Sequence, residues 1–343
     1  MNWLGRLVVG YLGLVVVEMT WVLFAVLRFE RGRRIQVIVL TPPSAPEMGI
    51  CSAVGQSPWD HPKQTPANLS IRPRNLSFSG ESLKKRSWLG GDPVATAFYD
   101  ALSAAFPSGE RLFMDSVQHF RDCTSGPLRD QITAFLVQEA THTREHLIFN
   151  SQIARNNPCM AAMLGRAEAR LAISRTHPPL QQLGETIALE HFTAILANAL
   201  LSDSRHLAGA PANVQAMWRW HAIEEIEHKA VAYDTFIAAT NSFSSMRRWA
   251  LRVSTMAVST WLLIFTMGCN ISDSFTANGI NRPTTWARLF GYLLARPGIL
   301  RQAFPGYCAY YLPGFHPWQH DNRTLVISTE QYLANDYPKG AAR

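Results

Sequence analysis

From residue 71 onward, apolar and polar positions repeat with the period of amphipathic helices. Proline and capping residues mark where the helices begin, namely Asp92-Pro93, Ser108, Gly126-Pro127, Pro158, Pro178-Pro179 and Pro211. The pattern predicts helices over residues 93–105, 108–122, 127–150, 158–175, 179–203 and 212–240. No segment shows the strict alternation of a half-buried strand. We therefore expect an all-α fold.

Residues 1–70 differ from the rest of the chain. Residues 7–27 form an apolar run interrupted only by Glu18, and about 20 apolar residues suffice to cross a bilayer. One arginine precedes this run and four follow it, so a spanning helix would keep its C-terminal side in the cytoplasm. The alternative is that residues 1–40 are a spurious extension of the natural protein. Residues 41–70 are rich in Pro, Ser and Gln, which predicts a linker.

A second apolar run, residues 253–271, contains no charged residue. It is long enough for a membrane span, but it follows the preceding predicted helix almost without a linker. We therefore favour burial, or contact with one face of a membrane, over a span. The two runs predict a cytoplasmic protein with candidate attachment to the inner membrane through residues 7–27 or 253–271. The remaining boundaries predict a helical domain over residues 71–325 and a tail over residues 326–343.

The net charge of +7 is scattered in small clusters, with no motif for binding DNA or RNA. Charge alone supports only non-specific attraction, so anionic lipid is a better partner for this charge than nucleic acid. The five cysteines are odd in number and include no Cys-x-x-Cys pair. This pattern argues against a disulfide framework and against a thiolate metal site, and it indicates a reducing compartment.

The pattern Glu-x-x-His occurs twice, at Glu139 with His142 and at Glu225 with His228, each time within a predicted helix. Residues three apart share one helix face, so each pair presents a carboxylate and an imidazole to the same point. Two such pairs, with one Glu from each of two further helices, form the ligand set of a dinuclear site in a ferritin-like four-helix bundle. The sequence therefore predicts such a bundle with additional helices, including an apolar C-terminal one.

Two further carboxylates, Glu110 and Glu190, lie among apolar neighbours in other predicted helices. An ionised carboxylate is costly in such surroundings unless it is paired or bound to a metal. His146 follows one Glu-x-x-His by a turn, and His221 precedes the other by a turn. Because the two helices should run in opposite directions, both imidazoles should lie at one end of the site, and His146 is a candidate extra ligand. Glu224 shares this face and is a candidate for holding a ligand in place.

Several stretches together resemble the bacterial family described as predicted metal-dependent hydrolases. They are Phe106-Pro-Ser-Gly-Glu110, Gln138-Glu139-x-x-His142-x-x-x-His146, Leu189-Glu190-His191-Phe192-Thr193 and Trp218-x-Trp220-His221-x-x-Glu224-Glu225-x-Glu227-His228-Lys229. The resemblance covers about residues 71–325. The spacing of His221, Glu225 and His228 is also similar to the ligand pattern of diiron enzymes of the p-aminobenzoate N-oxygenase type. That similarity implies seven metal ligands, namely Glu110, Glu139, His142, Glu190, His221, Glu225 and His228.

These inferences predict a non-haem diiron oxidase or oxygenase that uses O₂ to oxidise an organic, lipid-like small molecule. Carboxylates and imidazoles suit iron, with manganese or a mixed pair as the alternative. Glu139 and Glu225 would bridge the two ions. Such an enzyme needs an electron donor, and a homodimer is compatible with it. Two alternatives remain open: a two-metal-dependent hydrolase, and a metal-binding bundle without catalytic activity.

Overall fold

The computed structural model of the chain describes residues 65–66, 68–78, 83 and 85–336. These residues form helices and no strands, which confirms the predicted all-α class. In chain order the helices are α1 (Pro93–His119), α2 (Pro127–Ala154), α3 (Met160–Ser174), α4 (Pro179–Ser202), α5 (Ala212–His228), α6 (Val231–Ala239), α7 (Ser245–Ala277), α8 (Pro283–Phe290), α9 (Ile299–Tyr310) and α10 (Arg323–Asp336).

The described residues include the two ends of the chain only in part. The apolar run 7–27 and nearly all of the linker predicted over 41–70 lie outside the described residues. Residues 69–78 are described and have no helix or strand. Helix α10 occupies residues that the sequence assigned in part to a C-terminal tail.

Helix α1 corrects one sequence prediction, because it runs without a break where two helices were expected. Pro107 lies inside it and has no N–H to donate to the carbonyl of Ser103, four residues earlier. The side-chain amide of Asn150 in α2 donates to that carbonyl instead, at 3.0 Å. The Ser103 hydroxyl in turn donates to the Asn150 carbonyl oxygen at 2.7 Å. A neighbouring helix thus satisfies the acceptor that the proline leaves free, and the helix continues to His119.

The predicted helix 212–240 is also wrong in one respect, since it divides into α5 and α6 at Lys229 and Ala230. Lys229 is buried at this break, and its ammonium group donates to the carbonyl of His320 and to Asn322, at 2.7 and 2.8 Å. It also lies over the ring of Trp318. The break coincides with contacts to a segment 90 residues later, and no glycine or proline marks it in the sequence.

Helices α1, α2, α4 and α5 form the centre of the molecule. Helix α1 packs along α2 and α4 packs along α5, as expected for helices joined by short links, and α3 packs against α1. This arrangement is compatible with a ferritin-like bundle that has one long crossover. Apolar helix α7 packs against α1 and α4, helix α9 packs against α4, and α10 packs against α5. The additional helices, including the apolar one, confirm that part of the predicted fold.

Candidate metal centre

Each of the four central helices contributes one buried carboxylate to the same region. Glu110 comes from α1, Glu139 from α2, Glu190 from α4 and Glu225 from α5, and none is more than 3% exposed. A carboxylate without water around it is strongly destabilised unless a cation, a proton or a hydrogen-bond donor compensates its charge. The bundle therefore concentrates negative charge where it is most costly, and the surrounding groups must compensate it.

One half of the centre is built around His228. Its Nε2 atom lies 3.1 Å from Oε1 of Glu139, 3.5 Å from Oε2 of Glu190 and 3.5 Å from Oε2 of Glu225. The three carboxylates come from three different helices, so the imidazole marks a point at which helices α2, α4 and α5 converge.

The other half contains two imidazoles. Nε2 of His221 lies 2.7 Å from Oε1 of Glu225 and 3.8 Å from Oε1 of Glu110. Nδ1 of His142 lies 3.7 Å from Oε1 of Glu225 and 3.9 Å from Oε1 of Glu139. Glu225 thus directs one oxygen to each half, and Glu139 is close to an imidazole in each half. These positions fit the bridging roles expected for the two glutamates.

Many polar atoms of the centre have no hydrogen-bond partner in the protein. They are Oε1 of Glu110, both oxygens of Glu139 and of Glu190, Oε2 of Glu225, Nδ1 of His142 and Nε2 of His228. Side-chain trios from this set lie with their ligand atoms within 4.8 Å of one another, including Glu139 with Glu225 and His228. Unpaired buried polar atoms are rare in proteins, and here they converge, which fits cation binding. Their oxygen and nitrogen donors suit iron, manganese or zinc.

Two imidazoles are oriented by contacts on their outer sides. Nε2 of His142 lies 3.0 Å from Oε2 of Glu224, and Nδ1 of His228 lies 3.0 Å from Oε1 of Gln138. Each contact occupies the nitrogen that faces away from the carboxylates and leaves the other nitrogen toward the centre. Burial lowers the pKa of His142 well below its ordinary value, so this ring is neutral and able to ligate. The expected supporting role of Glu224 thus has a geometric basis.

A charged layer lies behind these contacts. Arg74, from the segment before α1, forms salt bridges with Glu224 at 3.3 Å and Glu227 at 2.6 Å, and it also pairs with Glu330 of α10. Glu227 also accepts from the Gln138 amide at 3.0 Å. Glu227 therefore points away from the centre and is salt-bridged. Arg74 carried no signal in the sequence, because it lies outside any predicted helix.

His146 lies behind His221 as the sequence predicted, at the same end of the site. Its Nε2 is 2.7 Å from Nδ1 of His221, and its Nδ1 is 2.8 Å from the Ser103 hydroxyl. Both ring nitrogens are therefore engaged in contacts that orient His221. Ligand atoms of Glu110, His146 and His221 also lie close enough together to hold an ion, which fits the sequence-based suggestion of His146 as an extra ligand. Thr143, which the sequence did not single out, donates to Oε2 of Glu110 at 2.7 Å.

Aromatic rings enclose the imidazoles. Phe106 packs 4.6 Å from His221, Phe135 packs 4.9 Å from His228 and Trp220 packs 4.9 Å from His142, measured between ring centroids. Trp218 and Trp220 are buried and belong to the core. This apolar wall keeps water from the carboxylates and strengthens every electrostatic interaction at the centre.

Other buried carboxylates and imidazoles lie in separate contacts. Glu185, which is on the same helix as Glu190, accepts from the Ser174 hydroxyl at 2.7 Å and pairs with His177. His191 has its Nε2 2.9 Å from the carbonyl oxygen of Gly306. His316 lies 3.0 Å from Asp234. These residues make packing and hydrogen-bonding contacts away from the converging carboxylates.

The pKa values of the converging residues show that burial disfavours their charged forms. Burial raises the pKa of Glu110 and of Glu139 well above the ordinary value, and neighbouring carboxylates add to the effect. Burial also raises the pKa of Glu190 to about 8. For His228, burial opposes the charged form, but Glu190 and Glu225 outweigh it and raise the pKa to about 9. At neutral pH, protons therefore occupy positions that metal ions would take.

A family model described as predicted metal-dependent hydrolase matches residues 72–321, which include all of these side chains. The chain belongs to this family. The match confirms the family resemblance seen in the motifs. The description of the metal-dependent hydrolase family fits the hydrolase alternative better than the oxidase expectation. No curated protein and no solved structure matches the chain.

Proposed function

We propose that this member of the metal-dependent hydrolase family is an enzyme with a carboxylate-bridged pair of metal ions. The observation that carries the proposal is the convergence of buried oxygen and nitrogen atoms that have no partner in the protein. A purely structural role for four buried glutamates would require donors for their oxygens. Neither oxygen of Glu139 or of Glu190 accepts a hydrogen bond within the part of the chain that the structure describes.

The residues divide between two ions. His142, His221 and Glu110 would serve one ion, and His228 with Glu190 would serve the other. Glu139 and Glu225 would lie between them. When bound, such ions supply Lewis acidity to a substrate oxygen and, if redox-active, electrons to O₂.

The protein's own groups hold and shield this centre. Glu224 and Gln138 fix the orientation of His142 and His228, and His146 does the same for His221. The aromatic wall excludes bulk water, so the reacting groups are exposed to fixed dipoles instead of mobile solvent. These contacts are present before any substrate binds.

Hydrolysis is the first candidate reaction class, since the family description names it. A pair of metal ions held by these residues would activate water and polarise the bond to be cleaved. Oxidation of a hydrophobic small molecule by O₂ is the second candidate. The observation that favours it is the aromatic enclosure of a centre rich in carboxylates, together with Arg74, which is committed to Glu224, Glu227 and Glu330 and so is not free to clamp an anionic substrate.

The first experiment measures metal content and then reaction class on the full chain. Wild type should retain about two ions per chain after loading with Fe²⁺, Mn²⁺ or Zn²⁺ and desalting. Glu190→Gln should lose one of them. Glu185→Gln is the matched control, because Glu185 is a buried carboxylate on the same helix that is satisfied by other residues. Equal metal content in the two variants would contradict the proposal.

The reaction class follows from two assays on loaded protein. Cleavage of ester, amide or phosphodiester panels without O₂ consumption supports hydrolysis. Consumption of O₂ by the Fe²⁺-loaded protein, dependent on a reductant and on an added hydrophobic compound, supports oxidation. Retention of metal with neither activity across both panels would favour the non-catalytic metal-binding bundle.

A further inference from the structure

The three consecutive helices α7, α8 and α9 expose large apolar side chains. Phe265 on α7 is 51% exposed, Leu294 just after α8 is 52% exposed and Phe304 on α9 is 61% exposed. Further exposed apolar side chains of this region are Met246, Val258, Ile264, Phe290, Leu300 and Leu312. An apolar surface of this extent commonly marks a site of contact with a protein or a membrane.

Side-chain contacts connect α7 with α9 and α7 with α8. The hydroxyl oxygens of Thr260 in α7 and Tyr307 in α9 lie 3.2 Å apart. Helices α7 and α8 meet where the rings of Phe275 and Trp286 lie 5.3 Å apart. The exposed side chains therefore lie on neighbouring helices, and we call this part of the protein the apolar cap (residues 245–312).

On α9 the exposed positions form a single stripe. Leu300, Phe304 and Cys308 are four residues apart and exposed, so they lie along one side of the helix. Ile299, Ala303 and Tyr310 are buried, and the carbonyl of Gly306 contacts His191 of α4. The inner side of α9 is thus held by the bundle, while its outer side is apolar without a covering element among the described residues.

Helix α7 is the described helix that is long and apolar enough to cross a membrane, but only 39% of its apolar window is buried. Polar contacts hold it to the bundle. Arg166 of α3 donates to Asn270 at 2.9 Å and pairs with Asp273, and Arg252 donates to the carbonyls of Tyr310 and Leu312. A helix held in this way fits a position on a membrane surface better than one across the membrane.

The charges of the region have one dominant sign. Residues 245–320 contain seven arginines and a single acidic residue, Asp273. Arg282, Arg296 and Arg301 are exposed, and none of them forms a salt bridge within the described part of the chain. Exposed apolar side chains with arginines among them match the chemistry of a membrane interface that carries anionic headgroups.

We propose that the apolar cap docks onto the surface of an anionic lipid bilayer. Its exposed phenylalanines and leucines enter the boundary between headgroups and acyl chains, and its arginines contact lipid phosphates. The charge decides between this occupant and a second copy of the chain, since a second copy would bring the same arginines against one another. The proposal is independent of the reaction at the metal centre.

The test uses the full chain with an environment-sensitive NBD label on Cys308, after the other four cysteines are replaced by serine. Cys308 is exposed on the stripe of α9. A second variant that keeps Cys123 as its single cysteine, exposed beyond the end of α1, gives the matched control label. With phosphatidylglycerol vesicles the Cys308 label should shift to the blue and be quenched by spin-labelled lipid. The Cys123 label should not change. Phosphatidylcholine vesicles, or high salt, should weaken the response.

A second measurement perturbs the apolar side chains. Phe265→Ser with Phe304→Ser should raise the lipid concentration for half-maximal response of the Cys308 label by roughly tenfold or more, because two rings lose their apolar surroundings. Leu147→Ser on α2 is the control, since Leu147 is about half exposed and α2 makes no substantial contact with the cap. It should leave the response unchanged.

Three outcomes would overturn the proposal. The Cys308 label could stay unresponsive to vesicles of any composition. The label could instead report apolar surroundings without vesicles, to a degree that rises with protein concentration, which would assign the cap to a second copy. It could also be apolar without vesicles at every concentration, which would assign the cap to another segment of the same chain, such as residues 7–27.

Discussion

Replacing Glu224 by glutamine changes one hydrogen-bonding atom at a point where the structure dictates the result. Oε1 of Glu224 accepts from the indole of Trp220 at 3.2 Å and from the backbone N–H of Arg74 at 3.0 Å. Oε2 faces Nε2 of His142 at 3.0 Å. In the variant, the amide oxygen must stay with these donors and with the Arg74 guanidinium, so the amide NH₂ group faces His142.

The consequence for His142 is a change of tautomer. An imidazole that accepts at Nε2 carries its proton on Nδ1, the atom that faces the carboxylates, and a protonated nitrogen cannot ligate a metal. Burial raises the pKa of Glu224 to about 8, so in the metal-free protein the glutamate can serve either tautomer. The glutamine amide can only donate to Nε2, so it stabilises the tautomer that is protonated on Nδ1 and cannot bind metal.

We expect Glu224→Gln to weaken metal binding at the His142 half of the centre by roughly 10- to 100-fold, the usual effect of losing such an outer contact. The corresponding free energy is about 1.4 to 2.7 kcal/mol. Competition with a chelator of known affinity should resolve one weakened and one nearly unchanged ion. Glu330→Gln is the control, because Glu330 also pairs with Arg74 but contacts no ligand residue. An unchanged affinity in Glu224→Gln would refute the tautomer argument.

Further predictions concern protons and backbone geometry. The pKa of Glu190 is raised to about 8 and that of His228 to about 9, so metal binding should release protons and metal affinity should increase as pH rises from 6 to 9. Calorimetry in buffers of different ionisation enthalpy measures the proton release. A metal affinity that does not change with pH would contradict this prediction. Gly209→Ala should lower Tm by several degrees, because Gly209 has φ +78° and a Cβ there would lie 2.7 Å from the Cα of Gly90. Gly279→Ala has φ +67° but open space around the Cβ, so it should lower the free energy of unfolding by only about 1 to 2 kcal/mol. Equal decreases in Tm for the two variants would show that the close approach of Gly209 to Gly90 has no effect on stability.

The residues of this centre could be predicted from the sequence only where their relationship is local in the chain. The spacing of Glu139 and His142 places both on one helix face in any α-helix, so their common direction follows from the chain alone. The position of His146 behind His221 followed from helix direction and length, which are also local properties combined with a simple topology. The sequence therefore determined the helical class and a consistent set of candidate ligands.

The tertiary structure decided what depends on contacts between distant segments. Helix α1 continues through Pro107 because Asn150 of another helix donates to the carbonyl of Ser103 that the proline leaves free. No residue near Pro107 in the sequence predicts this contact. The longer helix predicted over residues 212–240 ends at His228, where Lys229 reaches residues near 320. Arg74 joins the site from a segment without helical periodicity. Helical spacing fixes which side chains share a face, so the candidate ligands and Glu224 could be proposed from the sequence. Only packing brings faces from remote parts of the chain together, and for that reason the contacts of Arg74, Asn150 and Lys229 could not be proposed from it.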